Sequence, residues 1–194
     1  MMRLFCLLLA ALTLVAAVPD ASAQDVDFMT GGAPLNQRYK FGVLGSSGPV
    51  SRSTVNVQGS YAQGSILVNT AERRLYYMLG NGQAVRYGIG VGRDGFRWSG
   101  THRVTAKKEW PDWTPPAQML ARRRDLPRHM KGGEDNPLGA RAMDLGSTLY
   151  RIHGSNEPET IGQAVSSGCF RMTNEDVIDL YNRVSVGATV IVKN

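Results

Sequence analysis

The chain has 194 residues, with 22 Lys and Arg against 16 Asp and Glu, and a formal net charge of +6. This length is enough for one domain with a real hydrophobic core. A basic composition raises nucleic acid as a partner. The sequence has no stripe of alternating basic and aromatic residues on which bases would stack. Together with the export that the first residues predict, this argues against nucleic acid as a partner.

The first 23 residues have the pattern of a signal peptide. Arg3 precedes an apolar run over residues 4–18, and Ala21-Ser22-Ala23 is a small-residue cleavage site. Because the run is too short for a comfortable membrane span, we predict a mature chain from Gln24 with no stable membrane span. An uncleaved anchor is the alternative. Export predicts a periplasmic or cell-envelope location. An anionic envelope polymer or membrane surface is the expected electrostatic partner there, with a merely solubilising surface as the alternative.

Removal of the leader leaves one cysteine. The chain has two cysteines, and Cys6 lies inside the leader, so Cys169 stands alone. Exported proteins usually pair their cysteines, and a single one is either an intermolecular link or a reactive thiol. Cys169 follows Gly168 in a polar segment, which favours the reactive thiol.

Residues 24–63 are rich in Gly, Ser, Asn and Gln and have too few apolar residues to form a core. We interpret them as a flexible tether, with Val55 and Val57 at the start of an edge strand. From residue 64 to residue 194 the composition predicts a folded domain. Short apolar runs there predict a meander of antiparallel strands over residues 66–68, 75–79, 84–91 and 102–105, with a turn at Asn81-Gly82.

Three alternating glycines, Gly88, Gly90 and Gly92, lie within or just after the third of these strands. Neither a helix start nor a Lys-Ser pair comes after them, so a phosphate-binding loop is not supported. We expect close backbone packing or a bulge at these positions.

The stretch from 107 to 146 predicts a long connection rich in Trp, Pro and Gly. Thr114 is the expected cap of a short helix that runs to Arg124. Long loops in compact domains are usually functional, so we predict a lid or wall beside the site, with a packed crossover as the alternative. His102 and His129 are expected to be structural or surface residues. The scattered histidines and single cysteine lack zinc-ligand spacing, so no metal is expected.

The C-terminal part predicts a strand over residues 147–153, a helix and a closing strand over residues 189–192. Thr173 is expected to cap the helix, and Gly187 to end the turn after it. An acidic first turn and a spaced apolar face support the helix, namely Glu175 and Asp176, then Val177, Leu180, Tyr181 and Val184. We therefore predict a mainly β (β-rich α+β) fold with a short helix after the Cys169 loop.

His153 and Cys169, sixteen residues apart and each beside a glycine, suit acyl transfer through a thioester. The thiolate is the nucleophile, and an imidazole takes its proton and returns it to a leaving amine. Gly168 frees the backbone, so the amides of Gly168 and Cys169 are candidate oxyanion donors. Arg171 is able to grip a carboxylate through two hydrogen bonds. A buried structural cysteine and a structural histidine are the alternatives.

Residues 64–194 resemble the catalytic domain of the L,D-transpeptidases, the YkuD-like family. The matching motifs are Ile152-His153-Gly154-Ser155, Ile161-Gly162, Ser166-Ser167-Gly168-Cys169-Phe170-Arg171-Met172, Trp113-Thr114-Pro115-Pro116 and Asn136-Pro137-Leu138-Gly139-Ala140-Arg141. The resemblance implies a β-sandwich or mixed sheet, a cysteine that attacks the peptidoglycan stem peptide, and no metal or organic cofactor.

Carried over by position, Cys169 matches the family nucleophile and His153 its upstream base. Ser167 stands where the family usually has a second histidine, and Ser155 stands where threonine is common and is expected to orient His153. The predicted catalytic residues are thus Cys169 and His153. Gly168, Ser167 and Gly154 are predicted to shape the oxyanion site, and Arg171 and Ser155 to bind substrate. For Arg171, a structural ion pair is an equal alternative.

The resemblance implies that Cys169 attacks the bond before the terminal D-alanine of a tetrapeptide stem. The resulting thioester would pass its acyl group to an amine of another stem or of an envelope protein. An L,D-carboxypeptidase and a non-catalytic wall-binding protein remain alternatives. Papain-like peptidases place cysteine before histidine, and sortases separate the pair more widely, so chain order and spacing disfavour both.

Overall fold

The computed structural model describes residues 50–194. The predicted leader and the first part of the predicted tether, residues 1–49, lie outside this range. The division of the chain into leader, tether and catalytic domain therefore stays a prediction. Among residues 50–194, no helix combines the length and the apolar composition that crossing a membrane requires.

Eleven strands, two α-helices and one 3-10 turn form the regular structure of residues 50–194. The strands are β1 (Ser53–Asn56), β2 (Ile66–Asn69), β3 (Arg74–Gly80), β4 (Gln83–Gly88), β5 (Val91–Gly92), β6 (Gly100–Glu109), β7 (Arg141–Leu145), β8 (Arg151–His153), β9 (Ala164–Ser166), β10 (Phe170–Arg171) and β11 (Thr189–Lys193). The helices are α1 (Ala117–Arg122) and α2 (Asn174–Arg183), and the 3-10 turn is Pro158–Thr160.

Nine strands form one mixed sheet in the order β1-β4-β3-β2-β11-β6-β7-β8-β10. β11 pairs in parallel with β2, β10 pairs in parallel with β8, and the other neighbours are antiparallel. A second sheet contains only β5 and β9, in parallel. The predicted mainly β fold, with a mixed sheet and a short helix after the Cys169 loop, is confirmed.

The turn between β3 and β4 is made by Asn81 and Gly82, whose φ angles are 51° and 72°. Two consecutive left-handed residues match the right-handed twist of a hairpin, and Asn-Gly is the pair that adopts them most easily. The edge strand predicted from Val55 and Val57 is also confirmed. β1 pairs with β4, and the Val57 amide extends the pairing by donating to the Gly82 carbonyl at 2.7 Å.

The main core lies between one face of the sheet and α2. Alternating residues such as Ile66 and Val68 are fully buried there against Val177 and Leu180, while Leu67 joins a smaller cluster on the opposite face. This is the period-two alternation of a strand covered on both faces. Each fully buried aliphatic side chain contributes about 1.5–3 kcal/mol to stability.

The predicted cap of α2 is confirmed. The Thr173 hydroxyl accepts a hydrogen bond from the Asp176 amide at 3.1 Å, which satisfies one free N–H of the first turn. Glu175 and Asp176 place negative charge near the positive end of the helix dipole. The helix that follows the Cys169 loop therefore begins at a fixed position.

The predicted cap of α1 is wrong. The helix begins at Ala117 after Pro116, without a side-chain cap, and ends at Arg122. A residue before proline is pushed towards extended backbone, so Thr114 and Pro115 both stay outside the helix. The Thr114 hydroxyl lies instead 3.4 Å from Nδ1 of His129.

Three strand predictions also need correction. β7 lies inside the predicted long connection, where Ala142, Met143 and Leu145 are buried. The strand predicted over residues 147–153 is shorter, because residues 146–149 form the turn that joins β7 to β8. The strand predicted over residues 84–91 ends at Gly88, since Gly90 leaves β3 to bridge Arg171 and Val91 pairs with β9.

Candidate active site

The register of β8 and β10 sets the geometry of the site. Ile152 pairs with Phe170 and His153 with Arg171, in parallel, so the chain needs a crossover of at least about a dozen residues between them. Residues 154–169 supply it, which accounts for the spacing of His153 and Cys169. Ile152 and Phe170 are buried in the main core. Their strand neighbours His153 and Arg171 therefore share the opposite face. Cys169 directly precedes β10, so the nucleophile and the base lie at neighbouring strand ends.

His153 is fully buried at the end of β8. Its Nδ1 lies 2.6 Å from the Gly154 carbonyl oxygen, which only accepts, so Nδ1 carries the proton. Nε2 is left as the acceptor, and it has no hydrogen-bond partner within residues 50–194. Burial, followed by the charge of Arg171, lowers the pKa of His153 to about 3, although the Gly154 carbonyl acts in the opposite direction. The imidazole is therefore neutral at pH 7 and able to take a proton.

Cys169 is a free cysteine at a partly exposed position. Its thiol donates to the Leu149 carbonyl at 3.7 Å. Desolvation raises the pKa of Cys169 above its ordinary value, against a backbone hydrogen bond from Arg151 and the charges of Arg151 and Arg171. Among the described residues no hydrogen bond joins the thiol to the His153 ring. The resting site thus holds a neutral thiol and a neutral imidazole, and proton transfer requires the thiol to turn away from Leu149.

This electrostatic state predicts how Cys169 reacts with iodoacetamide. Because the pKa of the thiol is raised, its thiolate fraction at pH 7 is below that of a free cysteine. The alkylation rate is expected to rise about tenfold per pH unit through the neutral range, without a plateau below about pH 8.5. Intact mass against time gives the rate, with glutathione as the control. A rate that stays flat between about pH 6 and pH 8 would show a preformed thiolate-imidazolium pair instead.

Ser166 holds the turn before the nucleophile. Its hydroxyl donates to the Cys169 carbonyl at 2.6 Å and accepts from the Gly168 amide at 3.2 Å. Ser167 Oγ is buried and has no partner within residues 50–194. The amide of Gly168 is therefore engaged by Ser166, which leaves the Cys169 amide as the better candidate for an oxyanion donor. The roles predicted for Gly168 and Ser167 at the oxyanion stay predictions.

Gly168 occupies a position that excludes a side chain. Its φ is 108°, and a Cβ atom there would lie 2.6 Å from Cε1 of Tyr150. Its carbonyl accepts a hydrogen bond from Trp98 Nε1 at 2.8 Å. The Trp98 ring in turn stacks on Tyr150, with centroids 4.5 Å apart and planes 12° apart. Both aromatic residues lie outside the sequence motifs and were not predicted as site residues.

We expect Gly168→Ala to lower the predicted acyl transfer at Cys169 about 10- to 100-fold, because Tyr150 or the Cys169 loop must move. The left-handed backbone also costs about 1–3 kcal/mol with a side chain. Gly187→Ala is the matched control, since Gly187 has φ of 92° but no atom within 4 Å of its added Cβ. It is expected to lose stability and keep activity. Thermal unfolding and turnover are measured for both variants. Equal turnover by Gly168→Ala and Gly187→Ala would contradict the role of Gly168.

Gly154 supports His153 through its backbone. Its carbonyl anchors the imidazole, and a side chain at Gly154 would collide with Oδ1 of Asn174. That oxygen accepts the Ala140 amide at 2.8 Å, so the buried Asn174 joins residue 140 to the start of α2, directly beside Gly154. The sequence did not single out Asn174, although a buried asparagine at a helix start is the pattern that would find it.

Arg171 and Ser155 are both buried in contacts within the chain. Arg171 is 1% exposed, and its Nη1 lies 3.6 Å from Oε2 of Glu157. The Ser155 hydroxyl accepts the Glu157 amide at 3.0 Å, and neither ring nitrogen of His153 has a hydrogen bond to it within residues 50–194. These contacts favour the structural ion pair for Arg171. Substrate binding by Arg171 and Ser155 stays a prediction.

A charged network lies at the start of β8 beside Cys169. Asp144 accepts hydrogen bonds from Arg151 at 2.7 Å and from Lys108 at 2.9 Å. Burial acts to raise the pKa of Asp144, but these two partners hold it below its ordinary value. The network fixes Arg151, whose backbone and charge both act on the Cys169 thiol. Sequence reasoning missed it because its members come from three strands.

The expected close packing at the alternating glycines is confirmed. A Cβ on Gly92 would lie 2.6 Å from the Phe96 carbonyl oxygen and 3.3 Å from Cα of Gly168, and one on Gly90 would lie 3.3 Å from Cβ of Arg171. β5 thus lies directly against the Cys169 loop.

In the 107–146 segment, Trp113 packs with Met119, Leu126 and Leu138 in a cluster of its own. A lid role for this segment stays a prediction.

The chain matches a known protein family. Residues 63–192 match the family model YkuD, the L,D-transpeptidase catalytic domain. The probable L,D-transpeptidase YbiS of Escherichia coli (strain K12) is 42% identical over 134 residues, which is 64% of this chain and 43% of that protein. The chain thus matches less than half the length of this relative.

Two solved structures have a similar fold. An L,D-transpeptidase from Mycobacterium smegmatis superposes with a TM-score of 0.55 at 17% identity, over 68% of this chain and 59% of that one. At this identity the likeness concerns the fold alone. A crystal structure from Brucella melitensis, described as a probable carnitine operon oxidoreductase, is 42% identical with a TM-score of 0.51, over 75% of this chain and 94% of that one.

Proposed function

The chain belongs to the YkuD family of L,D-transpeptidase catalytic domains, and from this premise we propose that it transfers an acyl group from a peptidoglycan stem peptide to an amine. The observation that carries the proposal is the β8–β10 register, which brings a carbonyl-anchored neutral imidazole and a free thiol to neighbouring strand ends. A nucleophile and a base held at neighbouring strand ends are the parts that covalent acyl transfer requires.

In the first half of the reaction, Cys169 becomes acylated. As the thiol turns from the Leu149 carbonyl, His153 Nε2 takes its proton, and the thiolate attacks the carbonyl carbon before the terminal D-alanine. A C–S bond forms, and the carbonyl π electrons move to the oxygen, which accepts a hydrogen bond from the Cys169 amide. When these electrons return, the C–N bond breaks and the imidazolium gives its proton to the departing amine.

In the second half, an amine attacks the thioester. The acceptor is a side-chain amine of a neighbouring stem, giving a 3-3 crosslink, or an amine of an envelope protein. His153 removes the proton of the attacking amine, the C–S bond breaks, and the thiol returns. Water in place of the amine would give an L,D-carboxypeptidase. The scheme uses no metal or organic cofactor.

A periplasmic or cell-envelope location follows from this substrate and from the predicted leader. The net charge of +6 supports it, because a basic surface raises the local concentration of an anionic wall polymer and speeds encounter. Peptidoglycan stems are therefore the proposed partners, with envelope proteins as possible acceptors.

The test is incubation of the purified chain with disaccharide-tetrapeptide fragments, followed by mass spectrometry. A sample whose thiol has been blocked with iodoacetamide is the control. D-alanine release with a crosslinked dimer, absent from the blocked sample, is the expected result. Release without a dimer would assign a carboxypeptidase or another acceptor. No release by a protein whose thiol still alkylates would reject the proposal in favour of a wall-binding role.

A further inference from the structure

Trp98 lies on the segment between β5 and β6, outside both strands that carry the site. Its indole stacks on Tyr150, meets His102 edge to face at 5.2 Å between centroids, and packs against Phe170 at 5.4 Å. Its Nε1–H donates to the Gly168 carbonyl at 2.8 Å. A half-buried indole held by three rings has a fixed position, so this hydrogen bond has a fixed direction.

The peptide between Gly168 and Cys169 therefore has one orientation. In a trans peptide the C=O and N–H point to opposite sides of the chain, and residues 50–194 contain no cis peptide. Because the Gly168 carbonyl faces Trp98, the Cys169 N–H faces away from it. The preceding amide, that of Gly168, is already engaged by Ser166 at 3.2 Å. The Cys169 N–H is thus the amide whose direction Trp98 sets.

We propose that Trp98 is a positioning residue, which holds the Cys169 amide in the orientation that receives the oxyanion. The inference rests on the proposed acyl transfer at Cys169 and adds a residue that does not touch the substrate. Glycine permits both senses of the following peptide, so without the indole N–H the Gly168–Cys169 plane is free to rotate. The thiol stays in place in that case, because Ser166 and the β8–β10 pairing still hold the Cys169 backbone.

Trp98→Phe tests this, since phenylalanine keeps one aromatic ring beside Tyr150 and removes the N–H donor together with the second ring of the indole. Two reagents separate the roles. p-Nitrophenyl acetate acylates the thiol through an oxyanion, whereas iodoacetamide alkylates it by displacement without one. Acylation is expected to slow about tenfold or more, with alkylation unchanged. Tyr76→Phe is the matched control, because it removes an aromatic donor on β3, the Tyr76 hydroxyl that donates to Glu72 at 2.6 Å. Both of its rates should match those of the parent protein.

An acylation rate equal to that of the parent protein would overturn the inference. An equal loss in both reactions would also overturn it, because Trp98 would then only support the fold around the thiol. If Trp98→Phe does not fold, 3-benzothienylalanine at position 98 keeps the bicyclic shape with sulfur in place of N–H. Unchanged acylation, or an equal loss of acylation and alkylation, would overturn the inference in that variant too. The ester does not require a stem peptide. Failure of the parent protein on stem peptides, with normal ester acylation, would therefore reject the proposed function alone.

Discussion

Cys169→Ala is expected to lower D-alanine release from tetrapeptide stems at least about 1000-fold, because covalent catalysis loses its only nucleophile. The chain has two cysteines, and the other, Cys6, lies in the predicted leader. Release of D-alanine measures the loss. Intact mass gives a second readout, since a carbapenem offers a strained acyl donor and should add one equivalent to the parent protein and none to the variant.

Cys169→Ser is the control for shape, because its hydroxyl is close in size to the thiol but a much poorer nucleophile. Neither variant should change thermal unfolding by much, since the thiol makes only one weak hydrogen bond, to Leu149 at 3.7 Å. A Cys169→Ala variant that is folded and retains more than a tenth of the activity would contradict the thioester mechanism. If Cys169→Ala loses activity because it unfolds, Cys169→Ser still tests the mechanism, since it should stay folded and be inactive.

The local features of this chain were accessible from its sequence. The hairpin turn at Asn81-Gly82 and the cap at Thr173 depend on residues within a few positions of one another, and both are present. The Thr114 cap was wrong for an equally local reason, because the two prolines that follow it keep the backbone extended. The spacing of His153 and Cys169 fits the crossover between two parallel strands.

The contacts that support the site depend on sheet order, which no single stretch encodes. Trp98 reaches Gly168 across 70 positions, and Asn174 reaches Ala140 across 34. Their residue types are also uninformative, since a tryptophan or asparagine in isolation is usually structural. Adjacent serines present the same difficulty. The Ser166 hydroxyl makes the two hydrogen bonds that hold the turn before Cys169, and Ser167 makes neither. Only the direction of the backbone distinguishes these two serines.

Burial of Arg171 connects the fold to the chemistry of the site. Arg171 forms an ion pair with Glu157 of the crossover, and its charge is, after burial, the second cause of the low pKa of His153. A cation beside the imidazole disfavours a second proton there and so opposes a resting thiolate-imidazolium pair. His153 then acts as a base only once the thiol has turned from the Leu149 carbonyl towards Nε2.

His153→Gln should therefore separate turnover from thiol reactivity. Loss of the base is expected to lower D-alanine release about 100- to 10,000-fold. Alkylation by iodoacetamide should change little, because His153 does not ionise the thiol in the resting protein. His129→Gln is the matched control, since His129 is an exposed histidine whose side chain is 52% accessible, and it should leave both rates unchanged.

A parallel fall of alkylation and turnover in His153→Gln would have a different meaning. It would show that the imidazole ionises the thiol before substrate arrives, contrary to the neutral pair that the buried geometry supports. Equal turnover in the two histidine variants would instead remove His153 from the mechanism. The anchored Nδ1 argues against that outcome, because the Gly154 carbonyl at 2.6 Å holds the ring with Nε2 as its one open acceptor.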